Sequence, residues 1–262
     1  MLRVGIINLM PRAEVYERSL LPPLTAAGLP LEPCFVRLDS HAYQSSDREH
    51  IERHYQTYER VWAAGPLDGL IVSGAPVEEL AYSDVTYWSE LCEILEHART
   101  HVPSTLGLCW GGMALAERLG IGKQRLSRKL FGVVPLENLA REHPLLDGAG
   151  DPIACPQSRH AGLDEADLAA VEANGHVRVL ARSAAAGSTI FESSDGRWVG
   201  HLGHPEYEPE RLVFEYQRDM TAGRSDVGPP ENFDVDAPEC TWLAHRRGFF
   251  SGWLRLLTQS KP

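Results

Sequence analysis

The first half of the chain alternates short apolar, β-branched segments with longer amphipathic ones. Short apolar segments are typical of buried strands, so the alternation predicts a parallel sheet that is covered by helices on both faces. In 84–100, Trp88, Leu91 and Leu95 recur on one face at helical spacing, which indicates a helix there. Strands are predicted at 3–10, 31–38, 68–74 and 103–109, and helices or helical connections at 12–27, 46–63 and 84–100.

Beyond residue 120 the segments become shorter and are interrupted by Gly and Pro, which predicts an antiparallel or mixed extension of the sheet. Closing helices are predicted near 209–222 and 241–258, with an ordered surface loop at 223–239. The predicted fold class is α/β, with a mostly parallel central sheet flanked by helices and a C-terminal extension, in a single domain over 1–262. The strands of the extension are predicted at 129–135, 152–155, 176–182, 188–193 and 197–202.

Composition excludes several classes of function. The chain is 43% hydrophobic and 23% charged, as ordinary globular proteins are, and no apolar run approaches the roughly 20 residues of a membrane span. The net charge of −11 argues against non-specific nucleic-acid binding. The N-terminus has the pattern of a strand without a signal-peptide cleavage region, so we expect a cytoplasmic location. Five widely spaced cysteines without a CxxC pair indicate neither a disulfide framework nor a metal site.

Segment 104–120 carries the strongest local chemical signal. An apolar strand ends at Cys109, Gly111 and Gly112 follow, and an Ala/Leu-rich helix begins. This is the pattern of a nucleophile elbow, which places the thiol at a helix N-terminus where the dipole favours the thiolate. The alternative for Cys109 is a buried, unreactive core thiol, which remains the preferred interpretation for the other four cysteines.

An elbow of this kind also predicts an oxyanion hole. The backbone N–H of Trp110 would face an oxyanion formed on an acyl group that Cys109 attacks. A second donor is expected from the turn at Gly74–Ala75, which follows the preceding strand.

The tract WVGHLGHPEYEPERL supplies a base and a group to orient it. His204 and Glu206 follow a strand-like run with one residue between them, so their side chains share one face of an extended segment. His201 is the competing base, but three residues of regular strand would turn it to the opposite face. Cys109, His204 and Glu206 are therefore the predicted catalytic triad.

Short sequence blocks along nearly the whole chain carry a family resemblance. They are INLMP (7–11), RLDSH (37–41), DGLIVSGAPVE (68–78), YW (87–88), LCWGG (108–112), KLFGV (129–133), SRH (158–160), GHPEY (203–207), EYQRD (215–219) and TW followed by H, FF and WL (241–254). In this order they resemble the homoserine O-succinyltransferase/O-acetyltransferase family, which is built on the class I glutamine-amidotransferase scaffold. The resemblance implies that Cys109 forms the acyl thioester, His204 accepts the proton and Glu206 is its partner.

By the same resemblance, Lys129, Ser158 and Arg218 stand at positions that bind substrate. Arg218 can hold an amino-acid carboxylate with a two-pronged hydrogen bond, and Lys129 can supply positive charge for the donor or the acceptor. Surface ion pairs are the alternative interpretation for both side chains.

Glu78 stands at the position that this family associates with the acyl donor, where Gly accompanies succinyl-CoA and Glu accompanies acetyl-CoA. A carboxylate facing the pocket would repel the distal carboxylate of a succinyl group by about 1–4 kcal/mol at around 4 Å. Glu79 is the alternative inward residue. The chain departs from the family at Arg12 and Ala13, where two lysines are usual.

The activity expected from the resemblance is transfer of an acetyl group from acetyl-CoA to the hydroxyl of homoserine through a cysteine thioester, in methionine biosynthesis. Serine as acceptor, succinyl-CoA as donor, glutamine hydrolysis on the same scaffold, and a non-catalytic binding relative remain open alternatives. We expect no bound cofactor, an acyl-CoA as co-substrate, small-molecule partners only and a homodimer.

Overall fold

A computed structural model describes residues 1–259 and contains one nine-stranded sheet with helices packed against it. The strands are β1 (Leu2–Ile7), β2 (Leu31–Val36), β3 (Gly69–Val72), β4 (Ser104–Leu108), β5 (Lys123–Asn138), β6 (Ile153–Leu163), β7 (Val177–Ser183), β8 (Gly187–Ser193) and β9 (Trp198–His201). The helices are α1 (Ala13–Thr25), α2 (Arg48–His54), α3 (Tyr58–Ala63), α4 (Trp88–His101), α5 (Trp110–Arg118), α6 (Glu165–Ala173), α7 (Pro209–Thr221) and α8 (Leu243–Gln259).

The sheet has a parallel half and an antiparallel half, in the order β2-β1-β3-β4-β9-β8-β7-β5-β6. The pairs from β2 to β9 are parallel, and the four pairs from β9 to β6 are antiparallel. The α/β class and the change of pattern after residue 120 are confirmed. The prediction of a mostly parallel sheet is not fully borne out, because β7, β8 and β9 are joined by connections too short for a crossover helix and therefore pair antiparallel.

The helices differ from the predictions in two places. The segment 46–63 forms two helices, because Tyr55 is extended and Gln56 makes an isolated parallel bridge to Val36. Helix α6 was not predicted. It begins after Asp164, whose side chain accepts hydrogen bonds from the backbone N–H groups of Ala166 and Asp167.

The predicted loop at 223–239 is ordered through backbone hydrogen bonds to β5. Glu231 accepts from Val133 N–H at 2.8 Å and donates to Phe131 O at 2.9 Å. Gly132 permits this approach, since a Cβ there would overlap the Glu231 backbone. The loop therefore closes over β5 next to the C-terminal edge of the parallel strands.

The core lies on both faces of the sheet, and β3 and β4 are buried along their whole length, as central parallel strands require. Tight backbone packing then places α5. A Cβ on Gly111 would overlap the Val72 carbonyl oxygen, so α5 begins directly against the end of β3. Among residues 1–259, no helix has both the length and the apolar character that crossing a bilayer requires.

Replacing Gly111 with alanine tests this packing. We expect Gly111→Ala to unfold at a lower urea concentration than the wild type, because the added methyl group must displace the Val72 carbonyl. The free energy of unfolding should fall by about 1–3 kcal/mol. Helix propensity alone favours alanine by about 1 kcal/mol, so it opposes the expected effect. Gly228→Ala is the matched control, since a Cβ there meets open space. A Gly111→Ala midpoint at or above that of the wild type would contradict the packing argument.

Candidate active site

Cys109 lies at the turn between β4 and α5, where the backbone is strained. Its φ of 50° and ψ of −112° are unusual for a residue other than glycine. The Cys109 N–H donates to His201 O at 2.8 Å, which fixes the turn against β9. The residue is 5% exposed and lines a small cavity of about 90 Å³. The strand-turn-helix arrangement expected from the sequence is thus present, and the thiol faces a pocket.

His204 lies in the same pocket as Cys109, with Glu206 behind it. Glu206 Oε1 is 2.9 Å from His204 Nδ1 and accepts a hydrogen bond from the Tyr16 hydroxyl at 3.1 Å. His204 Cε1 and Cys109 Cβ both lie within 3.6 Å of the position that a Cβ on Gly74 would occupy. The structure therefore brings the three predicted triad residues together. Tyr16, on α1, is an additional member that the sequence did not reveal.

The charge state of His204 follows from its neighbours. Burial alone would lower the pKa of His204, but the charges of Cys109 and Glu206, with a hydrogen bond to each, raise this pKa to about 10. The imidazole therefore carries a proton at neutral pH. An imidazolium in this position can protonate a leaving group and then, as the neutral base, accept a proton from a hydroxyl.

His201 is not among the residues that line the pocket of Cys109. Its Nε2 is 2.9 Å from Nε2 of His245 on α8, and its Nδ1 accepts from Gly203 N–H at 3.1 Å. Cys155, His201 and His245 have potential metal-ligand atoms within 4.8 Å of one another. A histidine that binds a metal through one ring nitrogen donates a proton from the other. His201 Nδ1 instead accepts from the Gly203 N–H, so the ring proton lies on Nε2 and is directed at His245, which does not fit a metal ligand.

Of the two residues predicted for the oxyanion hole, Ala75 lines the pocket and Trp110 is buried in the first turn of α5. Ala75 lines the pocket next to Gly74. Trp110 is the first residue of α5, and its fully buried indole packs against the rings of Tyr82 and Trp88 at 6.2 and 6.1 Å. This packing holds the first turn of α5 beside Cys109.

Lys129 and Ser158 lie on the wall of the pocket formed by β5 and β6. The Lys129 ammonium group donates to Asp219 Oδ2 at 2.6 Å and lies 3.8 Å from Glu215 Oε2. The Ser158 hydroxyl donates to the same Glu215 oxygen. The Lys129 side chain is only 2% exposed, so the alternative of a surface ion pair is wrong for it.

Glu215 is the centre of this wall and was not predicted from the sequence as a site residue. It also accepts hydrogen bonds from the Tyr207 hydroxyl at 3.0 Å and from Arg211 Nε at 2.9 Å. Burial would raise the pKa of Glu215, but Arg211, Lys129 and the Ser158 hydroxyl lower it to about 2. The available signal was the four-residue spacing of Arg211, Glu215 and Asp219 along α7, which places them on one helical face.

Arg218 lies at the mouth of the pocket, with its side chain 49% exposed. Its guanidinium donates to Asp219 Oδ1 at 2.7 Å. Arg218 thus combines access to solvent with a place in the pocket lining, which is the position expected of a group that meets a substrate carboxylate.

Glu78, and not Glu79, lines the pocket. Glu78 Oε1 is 3.3 Å from His160 Nδ1, and its side chain is 14% exposed. Burial would raise the pKa of Glu78, but the hydrogen bonds from His160 and from backbone groups lower it. Glu79 pairs instead with Arg125 at 2.6 Å and with Arg224 at 3.6 Å.

Solved structures with this fold include class I glutamine amidotransferases. A glutamine amidotransferase from Thermotoga maritima aligns with a TM-score of 0.60 and 14% identity, covering 98% of this chain and 96% of that one. The glutaminase domain of a CTPS from Trypanosoma brucei, solved with bound acivicin, aligns with a TM-score of 0.60 and 11% identity, covering 100% and 96%. The fold expected from the sequence resemblance is therefore confirmed.

Relatives with higher sequence identity carry a more specific name. A homoserine O-acetyltransferase of Lachnoclostridium phytofermentans is 36% identical over 259 residues, which is 97% of this chain and 84% of the relative. One from Brevibacillus brevis is 37% identical over 258 residues, covering 97% and 83%. The family model of homoserine O-succinyltransferase matches residues 1–262. Because this match extends over the whole chain, the protein belongs to the homoserine O-succinyltransferase family of acyltransferases.

Proposed function

We propose that the protein transfers an acetyl group from acetyl-CoA to the side-chain hydroxyl of homoserine through a thioester on Cys109. The observation that carries the proposal is that Cys109 and His204 line one pocket, with Glu206 Oε1 2.9 Å from the His204 imidazole. Family membership supports an acyl-CoA as co-substrate, and relatives of about 36% identity are named homoserine O-acetyltransferases.

The first half of the proposed reaction forms the acyl-enzyme. The Cys109 sulfur attacks the acetyl carbonyl, and the oxyanion accepts hydrogen bonds from the backbone N–H groups of Trp110 and Ala75. When the intermediate collapses, the bond to the coenzyme A sulfur breaks. The protonated His204 gives its proton to the departing thiolate, which leaves acetyl-Cys109 and a neutral imidazole.

The second half transfers the acetyl group to the acceptor. His204 takes the proton of the homoserine hydroxyl as its oxygen attacks the thioester carbonyl, and the Cys109 thiolate leaves. This step forms the ester product and restores the protonated His204 and the Cys109 thiolate. Glu206 keeps the imidazole oriented throughout, since its oxygen holds Nδ1 at 2.9 Å.

Charge on the pocket wall supports an amino-acid acceptor. Arg218 is the group best placed to bind the α-carboxylate, because part of its guanidinium is exposed. The Lys129 charge is already balanced by Asp219, so we assign Lys129 to holding the wall in place. Serine is one methylene shorter, a difference that changes the free energy of transition-state binding by only about 1–3 kcal/mol. We favour homoserine because these relatives are named homoserine O-acetyltransferases.

Several finer statements stay predictions from the sequence. They are the place of the reaction in methionine biosynthesis, a homodimer, a cytoplasmic location and a single domain over 1–262. Pairing of all nine strands in one sheet supports the single domain.

Removing the nucleophile tests the covalent step. After incubation with acetyl-CoA, we expect intact-protein mass spectrometry to show one added acetyl group on the wild type and none on Cys109→Ala, which lacks the attacking sulfur. Cys92→Ala, which changes a half-buried thiol on α4, is the matched control and should be acetylated like the wild type. Full transferase activity in Cys109→Ala would rule out the thioester.

The pKa of His204 predicts the alkaline limit of acyl-enzyme formation. Release of coenzyme A should decline as pH rises through about 10, because the imidazolium that protonates the leaving thiolate is then lost. Glu206 raises this pKa, so in Glu206→Gln the decline should move to lower pH, with a rate about 10²–10⁴-fold lower at the optimum. Glu208→Gln, in which a half-exposed partner of Arg246 changes, is the control. If the alkaline decline of Glu206→Gln lay at the same pH as in the wild type, His204 would not be the group that sets it.

Donor choice can be tested at Glu78. We expect Glu78→Gly to raise the ratio of kcat/KM for succinyl-CoA over acetyl-CoA by about tenfold or more, because the repulsion of a distal carboxylate disappears. Glu79→Gly should leave the ratio unchanged, since Glu79 faces Arg125 and Arg224. If the ratio changed equally in both variants, a glycine in this segment, and not the loss of the Glu78 charge, would be the cause.

A further inference from the structure

His160 separates two cavities. On one side is the catalytic pocket, which contains Cys109 and Glu78. On the other side is a cavity of about 610 Å³, here called the outer groove, which is much larger than the catalytic pocket of about 90 Å³. The outer groove is lined by Arg125, Leu126, Ser127, His160, Arg224 and Asp226. His160 is the residue that lines both, so its ring forms a wall between them.

Both nitrogens of the His160 ring have partners, which fixes its orientation. Arg224 Nη2 lies 2.9 Å from His160 Nε2, and a guanidinium can only donate hydrogen bonds. In the neutral ring Nε2 therefore accepts, and the proton lies on Nδ1, which donates to Glu78 Oε1 at 3.3 Å. Asp226 Oδ2 lies 3.3 Å from Nε2 and would accept from a protonated ring. In either state, His160 donates to Glu78.

We propose that His160 is a second donor-selecting residue, which closes the acyl end of the catalytic pocket and holds the Glu78 carboxylate in its wall. The inference rests on the proposed function, because it concerns the acyl group that Cys109 would receive. Acetyl has no distal group and fits in front of the ring. A four-carbon dicarboxylic acyl group extends toward His160 and meets both the wall and the Glu78 charge.

The outer groove explains what removal of the ring would do. Arg125 and Arg224 line the groove, and their side chains are 72% and 38% exposed. They now pair with Glu79 and Asp226. A carboxylate that reached the groove would compete with Glu79 and Asp226 for these two guanidinium groups, which bind carboxylates in bidentate geometry. Loss of the His160 ring would thus open a path for a longer acyl chain and give its distal charge a partner.

The experiment compares acetyl-CoA and succinyl-CoA with homoserine as acceptor in His160→Ala, His160→Asn and His160→Phe. In His160→Ala we expect the succinyl-to-acetyl ratio of kcat/KM to rise by about tenfold or more over the wild type. His160→Phe keeps a ring without a hydrogen-bond donor, so its ratio should rise by less than in His160→Ala. His160→Asn provides a second small, polar replacement should the alanine variant fold poorly. His176→Ala, an exposed histidine between α6 and β7, is the matched control.

A second substitution tests the outer groove itself. In the His160→Ala background, Arg224→Gln should remove most of the gain with succinyl-CoA and leave the acetyl-CoA rate of that background within about threefold, because acetyl does not reach the groove. A gain that survives this substitution would overturn the role given to the groove.

The remaining outcomes separate this inference from the proposed function. If the wild type transferred no acyl group from either donor, the proposed function would fail. If the wild type used acetyl-CoA but folded His160→Ala and His160→Asn kept the wild-type donor ratio, only the role of His160 would be wrong. A ratio in His160→Phe as high as in His160→Ala would show that the ring does not act as a wall.

Discussion

The parallel pairing of β4 with β9 is the constraint on which the site depends. It joins Leu108 to His201 in register, and the N–H of Cys109 continues the pairing to His201 O at 2.8 Å. Cys109 follows one strand and His204 follows the other, so two residues far apart in the sequence meet at the carboxyl ends of neighbouring strands. Ligand sites of open α/β sheets lie at this edge for the same reason. A strained turn at Cys109 persists because the strands on both sides fix its ends.

Buried charge gives the pocket its second organising feature. Glu215 and Lys129 are almost fully buried, where isolated charges would be costly. Each is compensated by several partners, and Glu215 alone accepts from Ser158, Tyr207 and Arg211. Such a network holds its members in single positions, because the loss of a partner leaves a buried charge unpaired or one of its hydrogen bonds unmade. The wall is therefore a rigid polar surface in the pocket that contains Cys109.

The sequence predicted those parts of the molecule whose signals are local. The buried strands before Cys109 predicted the parallel half of the sheet. The two-residue spacing of His204 and Glu206 predicted two of the triad residues, which the structure brings together. The short, closely spaced strands of the second half also indicated an antiparallel or mixed extension, since β7, β8 and β9 pair with their neighbours in sequence. The sequence did not show that this extension contributes half of the strand pairs. Tyr16 and Glu215 were also missed: their helices were predicted, but the faces turned toward the pocket are set by packing. Their catalytic or binding roles stay proposals.

The two halves of the sheet contribute different parts of the site. Cys109, His204 and Glu206 follow β4 and β9 in the parallel half. Lys129 comes from β5 and His160 from β6, in the antiparallel half, and both line the pocket that contains Cys109. In the proposed reaction the thioester forms on the first set, whereas the distal end of the acyl group meets His160 of the second set together with Glu78, which follows β3. Selectivity can therefore change through β5, β6 and the loop over them without moving the triad, because no triad residue lies on those elements.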